Sequence, residues 1–107
     1  MSNDNTKARY QARARILKAL AHPSRLLMVD ELSRRELSVA QLTELVGADI
    51  STVSKHLSVL KGAGLVEGHK QGNQVIYRLR TPCVMDFFGC LEDILQANLQ
   101  AHLEVVK

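Results

Sequence analysis

The stretch from Ser38 to Lys61 constrains the fold most, because it predicts two short amphipathic helices joined by a turn at a single glycine. Ser38 and Gln41 have the spacing of a capping box, and Gly47 suits the left-handed residue that ends a helix. Asp49 can cap the second helix, which runs on to Lys61. The predicted buried stripe of that helix consists of Ile50, Val53, Leu57 and Leu60. Two such helices around a tight turn are typical of a helix-turn-helix.

A β-hairpin is expected directly after this motif. Residues 65–70 and 74–80 predict two strands, because apolar and polar residues alternate along the second. Gly72 and Asn73 between them suit a two-residue turn in which glycine takes a positive φ. A hairpin in this position is a wing, so the pattern favours a winged helix-turn-helix.

Three further helices are predicted, over residues 6–20, 23–34 and 82–104. The inward positions expected in the second are Leu26, Leu27, Val29 and Leu32. The last helix is apolar over more than one narrow stripe, so we expect one side to pack against a second copy of the chain. The predicted fold is mainly α with a two-stranded β-hairpin, five helices in the order ααααββα. We expect residues 1–107 to form a single domain and a homodimer, with the N- and C-terminal helices at the dimer contact.

Charge is unevenly distributed along the 107 residues, although the net charge is only +3. Residues 1–35 carry eight Lys or Arg and three acidic residues, whereas residues 81–107 carry one Lys and four acidic residues. This asymmetry favours a polyanionic partner for one face of the molecule. No signal peptide or membrane span is apparent, so a cytoplasmic protein is expected. No catalytic motif is present, and an enzyme is not expected.

Three sequence blocks resemble the ArsR/SmtB family of bacterial metalloregulators. Residues 20–27, Leu-Ala-His-Pro-Ser-Arg-Leu-Leu, are similar to the family's L-x-x-P-x-R-L segment. Residues 51–66 resemble its recognition helix, S-T-V-S-x-H-L-x-x-L-x-x-A-G-L-V, and residues 72–79 resemble its wing. The resemblance implies a homodimeric winged-helix repressor that releases its operator when it binds an inducer.

Candidate DNA contacts follow from placing the second helix of the motif in the major groove. On that helix they are Ser51, Thr52, Ser54, Lys55, His56 and Lys61. We expect Ser54 and His56 to approach base edges, and Lys55 and Lys61 to contact phosphates. On the wing, Lys70, Gln71, Asn73 and Arg78 are expected to add phosphate or minor-groove contacts. Two such helices related by a two-fold axis would read an inverted-repeat operator in double-stranded DNA.

The inducer is harder to predict, because the known ligand motifs of the family are missing. Ser38 and Ala40 stand where many members have a C-x-C pair, and residues 86–88 lack the D-x-H start of the family's site on the last helix. Cys83 and Cys90 remain, both within the predicted last helix. Seven residues place them on one face but about 10.5 Å apart along the axis, too far for a chelate within one chain.

Across an antiparallel dimer contact, Cys83 of one chain and Cys90 of the other could meet. Soft thiolates suit a trivalent arsenic or antimony species, which is therefore the predicted inducer, and no obligatory cofactor is expected. Two alternatives remain open. One is a repressor of the same fold that senses thiol oxidation or sulfide, with the cysteines as sensors, and the other is a winged-helix protein-interaction module that does not read DNA. Burial of both cysteines without a sensing role is also open.

Overall fold

The structure is a computed structural model that describes residues 3–106. The elements are α1 (Asn3–Leu20), α2 (Pro23–Leu32), β1 (Leu37–Ser38), α3 (Val39–Val46), α4 (Ile50–Gly62), β2 (Val66–Gln71), β3 (Gln74–Leu79) and α5 (Val84–Val106). The five helices and the hairpin follow in the predicted order. The fold is a winged helix-turn-helix, with α3 and α4 as its two helices and β2–β3 as the wing.

The sheet has three strands in the described chain, and the prediction of two was incomplete. β1 pairs antiparallel with β3, with Leu37 opposite Tyr77 and Ser38 opposite Ile76, so the strand order is β1-β3-β2. Two residues are too few to show the alternation by which a strand is recognised in sequence. Leu37 is 1% exposed, so this short strand also contributes to the core.

Local sequence fixes the ends of α3 and α4 as predicted. The Ser38 hydroxyl accepts a hydrogen bond from the Gln41 backbone N–H at 3.1 Å, and the Gln41 side chain accepts one from the Ser38 N–H at 2.9 Å. Gly47 ends α3 with φ of 75°, a conformation that costs other residues energy. Asp49 caps α4 by accepting from the Thr52 N–H at 2.8 Å. These caps set the turn between the two helices.

The core lies where α2, α3 and α4 meet the sheet. Its fully buried side chains are Met28, Val29, Leu37, Leu42, Val53, Leu57, Leu60 and Val66. Two residues predicted to face inward do not: Leu27 is 38% exposed and Ile50 is 59% exposed. Met28 takes the inward position beside Leu27, and Ile50 is the first residue of α4, where no neighbouring element covers the stripe.

The rest of the chain covers little of α5, as is also the case for α1. It begins at Val84 rather than at Pro82, because residues 81–83 form a turn in which the Val84 N–H donates to the Thr81 carbonyl. Val84 is buried, but every residue from 89 to 104 is exposed. The large apolar residues exposed on these two helices are Phe87, Leu91, Ile94, Leu95, Leu99 and Leu103 on α5 and Tyr10, Ile16 and Leu17 on α1. Among residues 3–106, no helix combines the length and apolarity needed to cross a bilayer.

Candidate nucleic-acid interface

The outer face of α4 is mostly polar and exposed, whereas its inner face is buried. Val53, Leu57 and Leu60 are at most 1% exposed, so burial fixes the rotation of the helix about its axis. The predicted DNA-contacting residues that face outward on α4 are Ser51, Thr52, Ser54, Lys55 and Lys61. Short hydroxyl side chains leave room for the helix to approach closely, and the two lysines supply positive charge. This face has the chemistry and the shape for the major groove.

The cap of α4 organises the first turn of this face. The Ser51 hydroxyl donates to the Asp49 carboxylate at 3.2 Å, on the same oxygen that receives the Thr52 N–H. Hydrogen bonds from Thr52 and then Ser51 lower the pKa of the Asp49 carboxyl below its ordinary value, so the cap stays ionised. The Ser51 hydroxyl is therefore already oriented in the free protein.

His56 does not lie on the outer face, and the prediction that placed it there was wrong. It is 9% exposed, with its ring 4.4 Å from that of His22. Its Nδ1 lies 3.2 Å from the Arg25 guanidinium and accepts a hydrogen bond from it, which assigns the imidazole proton to Nε2. Burial lowers the pKa of His56, and the charges of His22 and Arg25 lower it further. His56 is thus a neutral acceptor that holds Arg25.

The N-terminus of α2 supplies the other two members of this cluster. His22 caps α2 by accepting from the Ser24 N–H at 3.0 Å. Arg25 follows three residues later, which turns it toward α4. In the sequence this segment shows only a family resemblance, from which no role was predicted for Arg25. His56, the buried partner of Arg25, is thirty-one residues away, and a contact over that distance produces no periodic pattern in a single sequence.

The four DNA contacts predicted on the wing lie in two different environments. Lys70, Gln71 and Asn73 are exposed at the tip, where Gly72 has the expected positive φ of 64°. Arg78 lies opposite Glu67 in the β2–β3 ladder and forms an ion pair with it. The guanidinium of Arg78 therefore already has an anionic partner, whereas the tip residues are available to DNA.

The two cysteines are free thiols, and both are exposed. Cys90 lies on α5, but Cys83 precedes its first residue and belongs to the turn, so the predicted location of Cys83 within the helix was wrong. Cys83 borders an apolar groove of about 290 Å³ between α1, the segment that follows α4 and the start of α5. Within the described residues, no three or more His, Cys, Asp or Glu side chains are grouped so that they could hold a metal ion.

Comparison with known proteins decides the family. A family model described as "Bacterial regulatory protein, arsR family" matches residues 22–68, which include α2, the helix-turn-helix and the start of the wing. The HTH-type transcriptional regulator Rv0081 of Mycobacterium tuberculosis, itself described as uncharacterized, is 31% identical over 99 residues, which are 92% of this chain and 87% of that protein. The chain belongs to the ArsR family.

Solved structures of the family agree with this fold. The crystal structure of Rv0081 superposes with a TM-score of 0.79 at 32% identity, covering 88% of this chain and 95% of that one. A solution NMR structure from Mycobacterium bovis, described as a homodimeric winged helix-turn-helix DNA-binding domain, gives a TM-score of 0.80 at 31% identity and covers 94% of both chains. The ArsR-family chain is a DNA-binding transcriptional regulator and not an enzyme.

Proposed function

We propose that the chain is a homodimeric repressor that binds an inverted-repeat operator and releases it when an inducer binds. One observation supports this proposal above others: α5 exposes an apolar face sixteen residues long while α4 presents a polar one. A repressor role is in keeping with a relative from Xylella fastidiosa named biofilm growth-associated repressor, 37% identical over 79 residues, 74% of this chain and 69% of that protein.

The dimer contact we propose joins α1 and α5 of each chain. Leu17, Phe87 and Leu91 border a groove of about 270 Å³ between these helices whose surface is almost wholly apolar. Contiguous apolar surface of this kind is uncommon on a protein that acts as a monomer. A two-fold axis through α5 would pair like helices and present the two copies of α4 on one side, to half-sites about 34 Å apart.

DNA contacts are then divided among the predicted residues by their geometry. Ser51, Thr52, Ser54 and Lys55 face the major groove, and Lys61 meets a flanking phosphate. Lys70, Gln71 and Asn73 contact DNA from the tip of the wing. Arg78 contributes less because Glu67 neutralises it, and His56 acts indirectly by holding Arg25.

Binding of the protein to duplex DNA from upstream of its own coding sequence tests this assignment. Fluorescence anisotropy at several salt concentrations gives the affinity and its salt dependence, and each phosphate contact adds about 0.9 to the log–log slope. We expect Lys55→Gln and Lys70→Gln to weaken binding and to lower the slope. Arg34→Gln is the matched control, because Arg34 is paired with Asp30 and Glu31. Salt-insensitive binding, or none, would contradict the proposal and favour the protein-interaction module.

For the inducer, we propose a trivalent arsenic or antimony species that reacts with Cys83 of one chain and Cys90 of its partner. Exposure of both free thiols and the apolar groove beside Cys83 support it. A monomethylated arsenical with two hydroxyl groups needs only two sulfurs. Two As–O bonds break, two As–S bonds form, and the thiol protons leave in two water molecules, with no change in oxidation state. Inorganic arsenite or antimonite prefers a third sulfur, which only another chain could supply.

Titration of the protein–DNA complex with methylarsonous acid, antimonite and, separately, hydrogen peroxide and sodium tetrasulfide tests this. We expect the arsenical to release DNA from the wild type and to leave the Cys83→Ser/Cys90→Ser variant bound. Release by the arsenical in that variant would refute the assignment of the cysteines. Release of the wild type only by peroxide or tetrasulfide, reversed by dithiothreitol, would instead establish the redox-sensing alternative.

A further inference from the structure

A positively charged cleft is lined by none of the predicted DNA contacts on α4 and the wing. It is formed by α1, the start of α2 and the last turns of α4, and it encloses about 610 Å³. Three cations line it, namely Arg15 and Lys18 from α1 and Arg25 from α2. Of the residues lining it in the described part of the chain, none is acidic.

The three cations have no anionic partner among the described residues. Other arginines form ion pairs, as Arg34 does with Asp30 and Arg78 with Glu67. Between residues 3 and 106, no ion pair includes Arg15, Lys18 or Arg25. The Nε of Arg25 is also buried without a hydrogen-bond partner in this part of the chain. A buried N–H donor without an acceptor costs free energy, so the Arg25 side chain has hydrogen-bonding capacity that the described residues do not use.

His56 holds the Arg25 guanidinium in place. One terminal nitrogen of Arg25 donates to the His56 Nδ1 at 3.2 Å, and a neutral imidazole satisfies a donor without adding negative charge. The full positive charge of Arg25 is therefore kept while its orientation is set by a fixed part of α4. Fixing a guanidinium before binding lowers the entropic cost of seating an anion.

The cleft adjoins the DNA-facing side of α4. Val59 and Gly62 form part of its wall, and Val59 is 41% exposed. Thr52, Lys55, Val59 and Gly62 follow one another at steps of three or four residues, so they lie along one ridge of the helix. The ridge that begins at the proposed major-groove face thus ends at the cleft.

We propose that this cleft binds a phosphate group, and that in the DNA complex it takes a backbone phosphate beside the recognition helix. Arg25 supplies the oriented N–H donors, in the planar fork that matches phosphate oxygens, and Arg15 and Lys18 supply further charge. The inference rests on the proposed function, because it adds to the DNA contacts of α4 and the wing. Free inorganic phosphate has the same chemistry and is the alternative source to be tested.

The first arm of the test measures the salt dependence of DNA binding. We expect Arg15→Gln/Lys18→Gln to raise Kd at least about fivefold near 0.15 M salt and to lower the log–log slope by roughly 0.9 for each phosphate that the variant no longer neutralises. Both residues are exposed, so the substitution leaves the core intact. Lys7→Gln/Arg9→Gln is the matched control, since it removes the same charge from exposed positions of α1 that do not line the cleft. Equal slopes for the two double variants would contradict the proposal that the cleft binds a backbone phosphate of DNA.

The second arm follows the Arg25 Nε–H and His56 ring resonances by NMR in the full-length protein, at constant ionic strength. Shifts on addition of the DNA duplex, together with the lowered slope, support the proposal. If the Arg15→Gln/Lys18→Gln variant keeps the wild-type slope and millimolar inorganic phosphate shifts the Arg25 and His56 resonances, the cleft binds free phosphate and not a phosphate of DNA. An unchanged slope with no response to phosphate would overturn the site itself. If the wild type fails to bind DNA, the proposed function fails, and the phosphate titration still decides the cleft.

Discussion

α4 and α5 are both amphipathic, yet the chain completes only one of them. α4 buries Val53, Leu57 and Leu60 on its own core and exposes hydroxyls and lysines. Between residues 84 and 104, α5 buries only Val84 and exposes leucines along its length. An apolar face on a reading helix would cost affinity for DNA, whereas an apolar face on α5 is stable only when another surface covers it. The contrast shows that α4 is stabilised by the fold of its own chain, whereas α5 needs a second surface to cover its apolar face.

The largest effect is expected from charging the exposed face of α5. Leu91→Glu/Leu95→Glu places two carboxylates where we propose a second α5 packs, so the dimer should dissociate and Kd for the operator should rise by at least about a hundredfold, since the two half-sites no longer bind as a unit. Sedimentation velocity and anisotropy measure the two effects. Gln96→Glu/Gln100→Glu adds the same charge on exposed polar positions and should leave both nearly unchanged. A variant that stays dimeric would show that α5 is not the contact.

The next effect compares one leucine on each helix. Leu57 is 1% exposed and Leu95 is 58% exposed. Leu57→Ala should lower the free energy of unfolding by about 2–5 kcal/mol at every protein concentration, because it leaves a cavity in the core. Leu95→Ala should act only through the dimer, so its cost should depend on protein concentration. Urea unfolding at two protein concentrations a hundredfold apart distinguishes the two variants. The same dependence on protein concentration in both variants would contradict the difference proposed between α4 and α5.

A smaller effect compares one histidine on each helix, His56 buried on α4 and His102 exposed on α5. The lowered pKa of folded His56 means that unfolding takes up a proton when the pH is below about 6.5, so stability should fall as the pH falls through that value. His56→Gln keeps an acceptor for Arg25 but cannot titrate there. The loss of unfolding free energy between pH 7.5 and 5.5 should therefore be smaller in His56→Gln, and unaltered in His102→Gln. Equal losses in His56→Gln and the wild type would argue against the buried neutral imidazole.

The smallest effect concerns Ile50, which periodicity alone assigned to the core. Because it is 59% exposed, Ile50→Thr should change the free energy of unfolding by no more than about 0.5 kcal/mol. Thermal unfolding detects a larger change. A cost of several kcal/mol would mean that the stripe of α4 is buried from its first residue, as the sequence pattern predicted.

Features that depend on neighbouring residues were predictable from the sequence. The capping box at Ser38, the left-handed Gly47 and the cap at Asp49 are each set within three residues, and all three were predicted correctly. The excess apolar surface of the last helix was also visible, because its stripe is wider than one core can cover. The residues 72–73 turn was likewise fixed by its glycine.

Features that depend on distant residues were not predictable. β1 pairs with a strand almost forty residues later and is too short to show a period. His56 follows polar neighbours and was assigned to the outer face, because a single sequence does not reveal that His22 and Arg25 enclose it. Arg78 has the composition of a DNA contact, and only the strand register places Glu67 opposite. In each case the deciding partner is distant in sequence and close in space.

The two-residue strand β1 gives the DNA-reading part of the molecule an unexpected stiffness. Ser38 belongs at once to the ladder with β3 and to the cap of α3, with no residue between the two roles. We therefore expect a rotation of the wing to shift the first turn of α3 as well, because the same residue takes part in both. We expect the hairpin and α3 to meet a binding partner as one unit and not as two parts that adjust separately.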